Sequence, residues 1–367
     1  MTPADASIRF HLEVVLLFAL AFVPASRVQA VERVRYRGED SQNSVKTAFG
    51  ELLVEAQDGG VMLQSDDGRI TTIQPSQILD RATDETPLSP LDAEQMAERL
   101  MDEMPAAFQV YRTSHYLIVH NTNEAYVRQV GELMERLYKN FYTYWKNQRW
   151  KLPDPRFPLV ALVLSDRQAF NRFAEAQIGE TAKSLIGYYH LETNWVITFR
   201  VPNLERNVAT LVHEATHQLA YNCGLQTRFA DNPMWVSEGL ATYFEATDVT
   251  KPMQWRRIGL PNAVNLRRWK LYLPNRPQGS LATLISDDLR YRSSATAQDA
   301  YAEGWALTYF LIKTRREKYV EYLRQLSEGK PLIERTKRER IEMFESVFGE
   351  PIAKIDRQLV AYINRIR

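Results

Sequence analysis

The stretch Thr210-Leu-Val-His213-Glu214-Ala-Thr-His217-Gln-Leu219 constrains this chain more than any other. On a helix, residues four apart project from nearly the same face, so His213 and His217 can each turn a ring nitrogen to one metal ion. Glu214 sits about 100° further round, where its carboxylate can reach a metal-activated water. A structural zinc site closes with four protein ligands, whereas a hydrolytic one uses three and keeps a position open. The identity of a third ligand therefore decides the class.

Three residues compete for that place. Cys223 lies six positions after His217, but reaching the metal from there requires the helix to break at 220. Ala220 is a strong helix former that carries the helix on. The plainer reading of Cys223 is a small buried residue near a helix end terminated by Gly224. Glu238 stands in Pro233-Met-Trp-Val-Ser-Glu238-Gly-Leu-Ala-Thr-Tyr-Phe-Glu245. Asn232-Pro233 marks a turn, and Trp235, Leu240, Ala241 and Phe244 give a second helix able to pack back on the first, so that Glu238 faces the histidine pair. An exposed carboxylate favoured by the helix dipole is its alternative reading. Glu245 is a reserve ligand, or a residue outside the ligand set.

Around this stretch the chain reads as an ordinary folded protein of 367 residues, 45% hydrophobic and 25% charged, with a formal net charge of +1. No block of basic residues points to nucleic acid. Cys223 is the single cysteine, so no internal disulfide forms.

Residues 1–30 read as a signal peptide. Val14 to Val23 is an unbroken apolar run of ten, too short to span a bilayer, and Val28-Gln-Ala30 offers small residues before a cleavage point. The mature chain is then expected to be secreted or periplasmic, in a bacterial host, with no membrane span. Residues 31–82 alternate short apolar runs with Asp58-Gly-Gly60 and Asp66-Asp-Gly-Arg69, which predicts a small β-rich domain of hairpins. Residues 83–105 are expected to form a linker, Thr83 to Pro90, followed by a short helix from Leu91 to Met104.

From 106 to 367 the pattern is strand, helix, strand, helix, strand, then helices. Strands are expected at Tyr116–Val119, Leu159–Leu164 and Asn194–Phe199. Helices are expected where Val127, Val130, Met134, Leu137, Phe141 and Tyr144 recur at helical steps and from Arg167 to Gln177. The division expected is an α/β subdomain over 106–210 and a helical subdomain over 211–367. Apolar stripes at Trp305–Leu323, Ile341–Phe348 and Ile355–Ile366 supply the core of the latter. His115 and His120 flank a strand and read as structural. Arg267 and Arg268 are candidates for a substrate carboxylate or for solvated roles.

His213-Glu214-x-x-His217 followed by Trp235-x-x-Glu238-Gly-x-Ala241-x-Tyr243 resembles the gluzincin zinc metallopeptidases. The wider run from Tyr116 to Arg367 is similar to the peptidase-MA-like proteins, in particular a family of secreted bacterial proteins carried as a domain of unknown function. The resemblance implies an α+β, thermolysin-like catalytic domain with an α/β upper and a helical lower subdomain, preceded here by the β-rich domain. It implies zinc (Zn2+) on His213, His217 and Glu238, Glu214 as general base, and a peptide or protein substrate laid along the Asn194–Phe199 strand as a sheet edge. Gluzincins often take an oxyanion donor from a helix downstream of the glutamate, and Tyr301 heads such a helix; Tyr189 and His190 are further candidates. Two departures stand out. Thr242 occupies the place where a carboxylate often orients a metal-bound histidine. Gly187-Tyr-Tyr-His-Leu-Glu192-Thr-Asn194 lacks the motif that grips a free amino terminus, which favours an endopeptidase. The alternative is a catalytically silent peptidase-like scaffold that binds envelope proteins or polysaccharide, although Glu214 has no use in such a scaffold.

Overall fold

The computed structural model of the protein describes residues 30–38, 44–246, 255 and 258–366. The expected signal peptide, apart from Ala30, lies outside the described residues. Alternating hydrophobic and polar positions between glycine turns fold first into an antiparallel sheet. Its strands are β1 (Ala30–Arg37), β2 (Val45–Glu55), β3 (Val61–Gln64), β4 (Ile70–Ile73) and β5 (Ile78–Pro87), in the order β4-β3-β2-β1-β5. Val34, Val61, Leu63 and Ile73 form its small core. Gly68 turns the β3–β4 hairpin with φ of +81°, and a side chain there would collide with the Phe157 ring. β5 runs through the stretch expected to be linker, as far as Pro87, paired to β1 along its length. An edge strand tolerates both the polar run and the terminal proline, because one side of its backbone has no ladder to serve.

The next unit opens with α1 (Ala93–Glu103), capped by Asp92, whose side chain accepts from the backbone N–H groups of Glu94 and Gln95. It continues through β6 (Gln109–Arg112), β7 (Tyr116–His120), α2 (Glu124–Asn147), β8 (Leu159–Leu164), α3 (Arg167–Ile178), β9 (Gly187–His190), β10 (Trp195–Phe199) and α4 (Leu204–Asn222). The sheet order is β6-β7-β8-β10-β9, with β7, β8 and β10 parallel and the two outer strands antiparallel. Period-two alternation sends Ile118, Ala161, Val163 and Val196 to the α2 and α4 side. Leu117, Val119, Val160, Leu162 and Ile197 go to α1 and α3.

Two expectations change. The Asn194–Phe199 segment is not the sheet edge, because β10 is bonded to β8 on one side and β9 on the other. The edge is β9, whose four residues are too few to show a periodicity. The expected subdomain boundary at 210/211 falls inside α4, which begins at Leu204 under an Asn203 cap.

The rest is helical: α5 (Met234–Glu245), α6 (Ala263–Tyr272), α7 (Ser280–Ser286), α8 (Leu289–Arg292), α9 (Ala297–Thr314), α10 (Arg316–Ser327), α11 (Lys337–Phe348) and α12 (Ile352–Ile363). The apolar stripe at Trp305–Leu323 is shared by two helices that part at Arg315, whose φ of −140° leaves the helical region. α5 and α9 meet at glycines. A Cβ on Gly239 would collide with Thr308 Oγ1 and come within 3.0 Å of the Gly304 carbonyl oxygen, so this glycine lets α5 approach α9, whereas a Cβ on Gly304 would collide with the Tyr291 hydroxyl. The chain is thus a mixed α+β protein with a β-rich N-terminal region and a helical C-terminal one. Among the described residues no helix is long and apolar enough to cross a membrane.

The N-terminal sheet is fastened to the rest by its β3–β4 turn. Ile70 N–H donates to the Glu192 carbonyl at 2.8 Å and Leu91 N–H to the Asp66 carbonyl at 2.9 Å. Arg228, buried, donates to the Gly68 carbonyl at 2.9 Å and to the Leu191 carbonyl at 3.0 Å. Arg156 clasps Glu51 with two nitrogens, at 2.6 and 2.5 Å.

Candidate metal centre

α4 is held rigidly before any ligand is considered. Gln218, fully buried, donates to the Val160 carbonyl at 2.9 Å and the Asn194 carbonyl at 2.8 Å, pinning the helix to β8 and to the turn that leads into β10, one residue after His217. At the helix's other end Asn207 and Tyr126 bond to each other. α5 then crosses α4, and Gly239 seats it on α9. Asp288 Oδ1 accepts the Met234 N–H at 2.9 Å at the start of α5, and Arg340 holds Asp288 and Asp231.

These constraints bring His213, His217 and Glu238 together, with one donor atom of each within 4.8 Å of the others. His213 Nε2 lies 3.2 Å from His217 Nε2 and 3.2 Å from Glu238 Oε2, and His217 Nε2 lies 3.7 Å from Glu238 Oε1. Two imidazole nitrogens this close need a proton or a cation between them. Two nitrogens and one carboxylate form a three-donor set of the composition that zinc takes when a position stays open. The donors therefore fit the ion. Burial pushes the His213 pKa down, but Glu238 and Glu245 outweigh it and raise it well above the ordinary histidine value. Burial likewise pushes Glu238 up, and the two histidines more than reverse this, holding it ionised.

The orienting group missing at Thr242 is supplied by Glu245. Its Oε2 meets His213 Nδ1 at 2.6 Å, leaving Nε2 free for a metal, and its Oε1 accepts from Asn262 Nδ2 at 2.7 Å. Asn262 caps α6 through the Asn265 N–H at 3.1 Å. Thr242 only returns its hydroxyl to the carbonyls of its own helix. Glu245 is seven residues after Glu238, two helical turns, so the shared face was legible in the spacing. The part played by Asn262 has no such signal.

Glu214 is oriented from the sheet edge: Tyr189 N–H donates to its Oε2 at 2.9 Å. Burial raises its pKa, and this outweighs the lowering by His213, His217 and the Tyr189 N–H. No sequence pattern announces a backbone donor. The Tyr189 hydroxyl turns away to Asn194 at 2.7 Å with its ring stacked on Tyr221, and the His190 ring turns to Thr193. Tyr301 lies in the second turn of α9 rather than at its head, packed edge-on against Tyr291. Burial, then the nearby Glu238 carboxylate, raises its pKa well above the ordinary tyrosine value, so the phenol keeps its proton.

The candidate ligand Cys223 is excluded. α4 continues through Ala220, Cys223 is buried with Sγ 3.6 Å from the Ala220 carbonyl, and burial pushes its thiol up to about 12. Gly224, with φ of +72°, ends the helix as expected. His115 pairs with Glu135 at 2.7 Å and His120 packs by the Thr122 carbonyl, both outside the cluster. Arg268 pairs with Asp299 at 2.6 Å, while Arg267 is exposed.

The cluster opens into a cavity of about 2310 Å3 lined by His213, Glu214, His217, Glu238 and Tyr301, by β9, and by β4 of the N-terminal sheet. Residues 207–333 match the family model described as "Protein of unknown function (DUF1570)", a span that contains His213, Glu214, His217, Glu238, Glu245 and Tyr301 but neither β9 nor β4. No curated protein matches the chain.

Proposed function

We propose that the protein is a zinc-dependent endopeptidase of the gluzincin kind, with a thermolysin-like arrangement of its catalytic units, acting outside the cytoplasm. The observation that carries this reading is the convergence of His213 Nε2, His217 Nε2 and the Glu238 carboxylate beside a separately anchored Glu214. His213, His217 and Glu238 would hold the ion. Zinc in such a site supplies Lewis acidity and makes water a nucleophile near neutral pH.

The chain's own groups divide the remaining work. Glu214 Oε2 is occupied by the Tyr189 N–H, so Oε1 is the atom free to take a proton from the attacking water. Water oxygen adds to the peptide carbonyl carbon, the C–N bond breaks, and the proton on Glu214 passes to the leaving nitrogen. Tyr301, protonated and on the cavity wall, donates a hydrogen bond to the carbonyl oxygen as charge develops there. Glu245 and Asn262 keep the His213 ring in one tautomer.

Incubating a broad peptide library with the wild-type chain and with Glu214→Gln, then reading new termini by mass spectrometry, tests the proposal. Cleavage by wild type alone is expected. Equal cleavage by both, or none by either, overturns it; the latter favours a binding scaffold.

A further inference from the structure

Resting on the peptidase reading, we propose that the N-terminal sheet supplies a second edge for the substrate, so that the scissile chain is held as a strand between β9 and β4. Both strands are outermost in their sheets, and both line the cavity that contains the histidine cluster. Backbone direction alternates along a strand, so one outward-facing group fixes the rest. In β9 the Tyr189 N–H points out to Glu214 while the His190 carbonyl accepts inward from Asn194. Gly187, two residues before Tyr189, faces out as well. In β4 the Ile70 N–H points out to Glu192, while the Arg69 carbonyl accepts inward from Ser65. Thr72, exposed and two residues on, faces out with Ile70.

Among the described residues, the Thr72 and Gly187 backbone groups have no hydrogen-bond partner outside their sheets. The bond from Ile70 to Glu192 already joins the start of β4 to the turn that follows β9. β4 begins and β9 ends near that junction, and both strands line the same cavity. An extended polypeptide can satisfy both, and no second ligand chemistry is needed. The polar Thr71, Thr72 and Gln74 on the β4 side suit main-chain recognition that tolerates many side chains.

A strand held on one side loses bonds only at alternate residues, whereas a strand held on both sides loses them at consecutive ones. The test is an N-methyl scan along a peptide of about twelve residues cleaved by the wild-type chain. The proposal expects drops of about tenfold in kcat/KM at adjacent positions, the size of a lost main-chain hydrogen bond. Sensitivity at every second position only would overturn it. Thr72→Pro is the matching variant, because proline is tolerated where an edge strand's N–H faces outward. It should lower kcat/KM for the long peptide about tenfold, spare a tetrapeptide, and leave Tm close to wild type; Thr72→Val, which keeps the N–H, should behave as wild type. Thr72→Pro with wild-type activity on the long peptide contradicts the proposal. Fluorescence anisotropy of the labelled long peptide on Glu214→Gln, with and without Thr72→Pro, separates the two readings. Thr72-dependent binding without cleavage by wild type sinks the peptidase reading and leaves the second edge standing. Cleavage with Thr72-independent binding does the reverse.

Discussion

Glu245 offers the most quantitative test of how the centre is built. Its carboxylate accepts from His213 Nδ1 at 2.6 Å and from Asn262 Nδ2 at 2.7 Å, so Glu245→Ala frees the ring to rotate and to change tautomer. Loss of such an outer partner typically costs about 10–100-fold in metal affinity, or about 1.4–2.7 kcal/mol. Glu245→Gln should cost less. A glutamine keeps one acceptor oxygen and must give up either His213 or Asn262. The bond it retains is neutral, about half as strong as one to an ionised acceptor, which places the loss at about 3–10-fold. Glu238→Ala removes one of the three proposed ligands outright and should exceed both. Zinc affinity is read by competition with a chromogenic chelator, with circular dichroism confirming that each variant is folded. The expected ranking is wild type, Glu245→Gln, Glu245→Ala, Glu238→Ala, from tightest to weakest. Wild-type zinc affinity in Glu245→Ala would refute the orienting role, and an effect as large as that of Glu238→Ala would make Glu245 a ligand.

Other consequences are more local. Gly239→Ala forces α5 away from Thr308 and the Gly304 carbonyl; a loss of about 1–3 kcal/mol in urea unfolding is expected, together with weaker zinc binding, because Glu238 is the adjacent residue. Arg228→Met leaves the Gly68 and Leu191 carbonyls without their donor and should cost about 2 kcal/mol, with faster hydrogen exchange at Gly68 and Ile70 as the readout. Removing zinc with a chelator should lower Tm, and restoring it at about 100 times Kd should return about 2.7 kcal/mol of stability; an unchanged Tm would mean that the folded chain binds no metal.

Much of the architecture was legible because burial imposes periodicity. β8 is an unbroken apolar run buried on both faces, and α2 carries a long stripe at helical steps. β5 was hidden because its paired backbone carries mostly exposed, polar side chains. The short β6 and β9 offered too few residues for a pattern, and α6, α7 and α8 are short and follow one another closely. α9 and α10 merged in the sequence because the apolar spacing continues through Arg315, while only the backbone breaks. The centre follows the same logic. His213, Glu214, His217 and Glu238 stand out through side-chain spacing on two helices, and Glu245 extends that spacing by two turns. The Tyr189 N–H on Glu214 and the β4 wall of the cavity arise from backbone placement between distant segments, which residue identity does not encode locally.

Metal analysis of the purified chain, with wild type beside Glu214→Gln and Glu238→Ala, decides whether His213, His217 and Glu238 hold zinc. About one zinc per chain is expected in wild type and in Glu214→Gln, where the three proposed ligands are intact, and little in Glu238→Ala. Wild type without zinc, or Glu238→Ala holding as much as wild type, would contradict this ligand set.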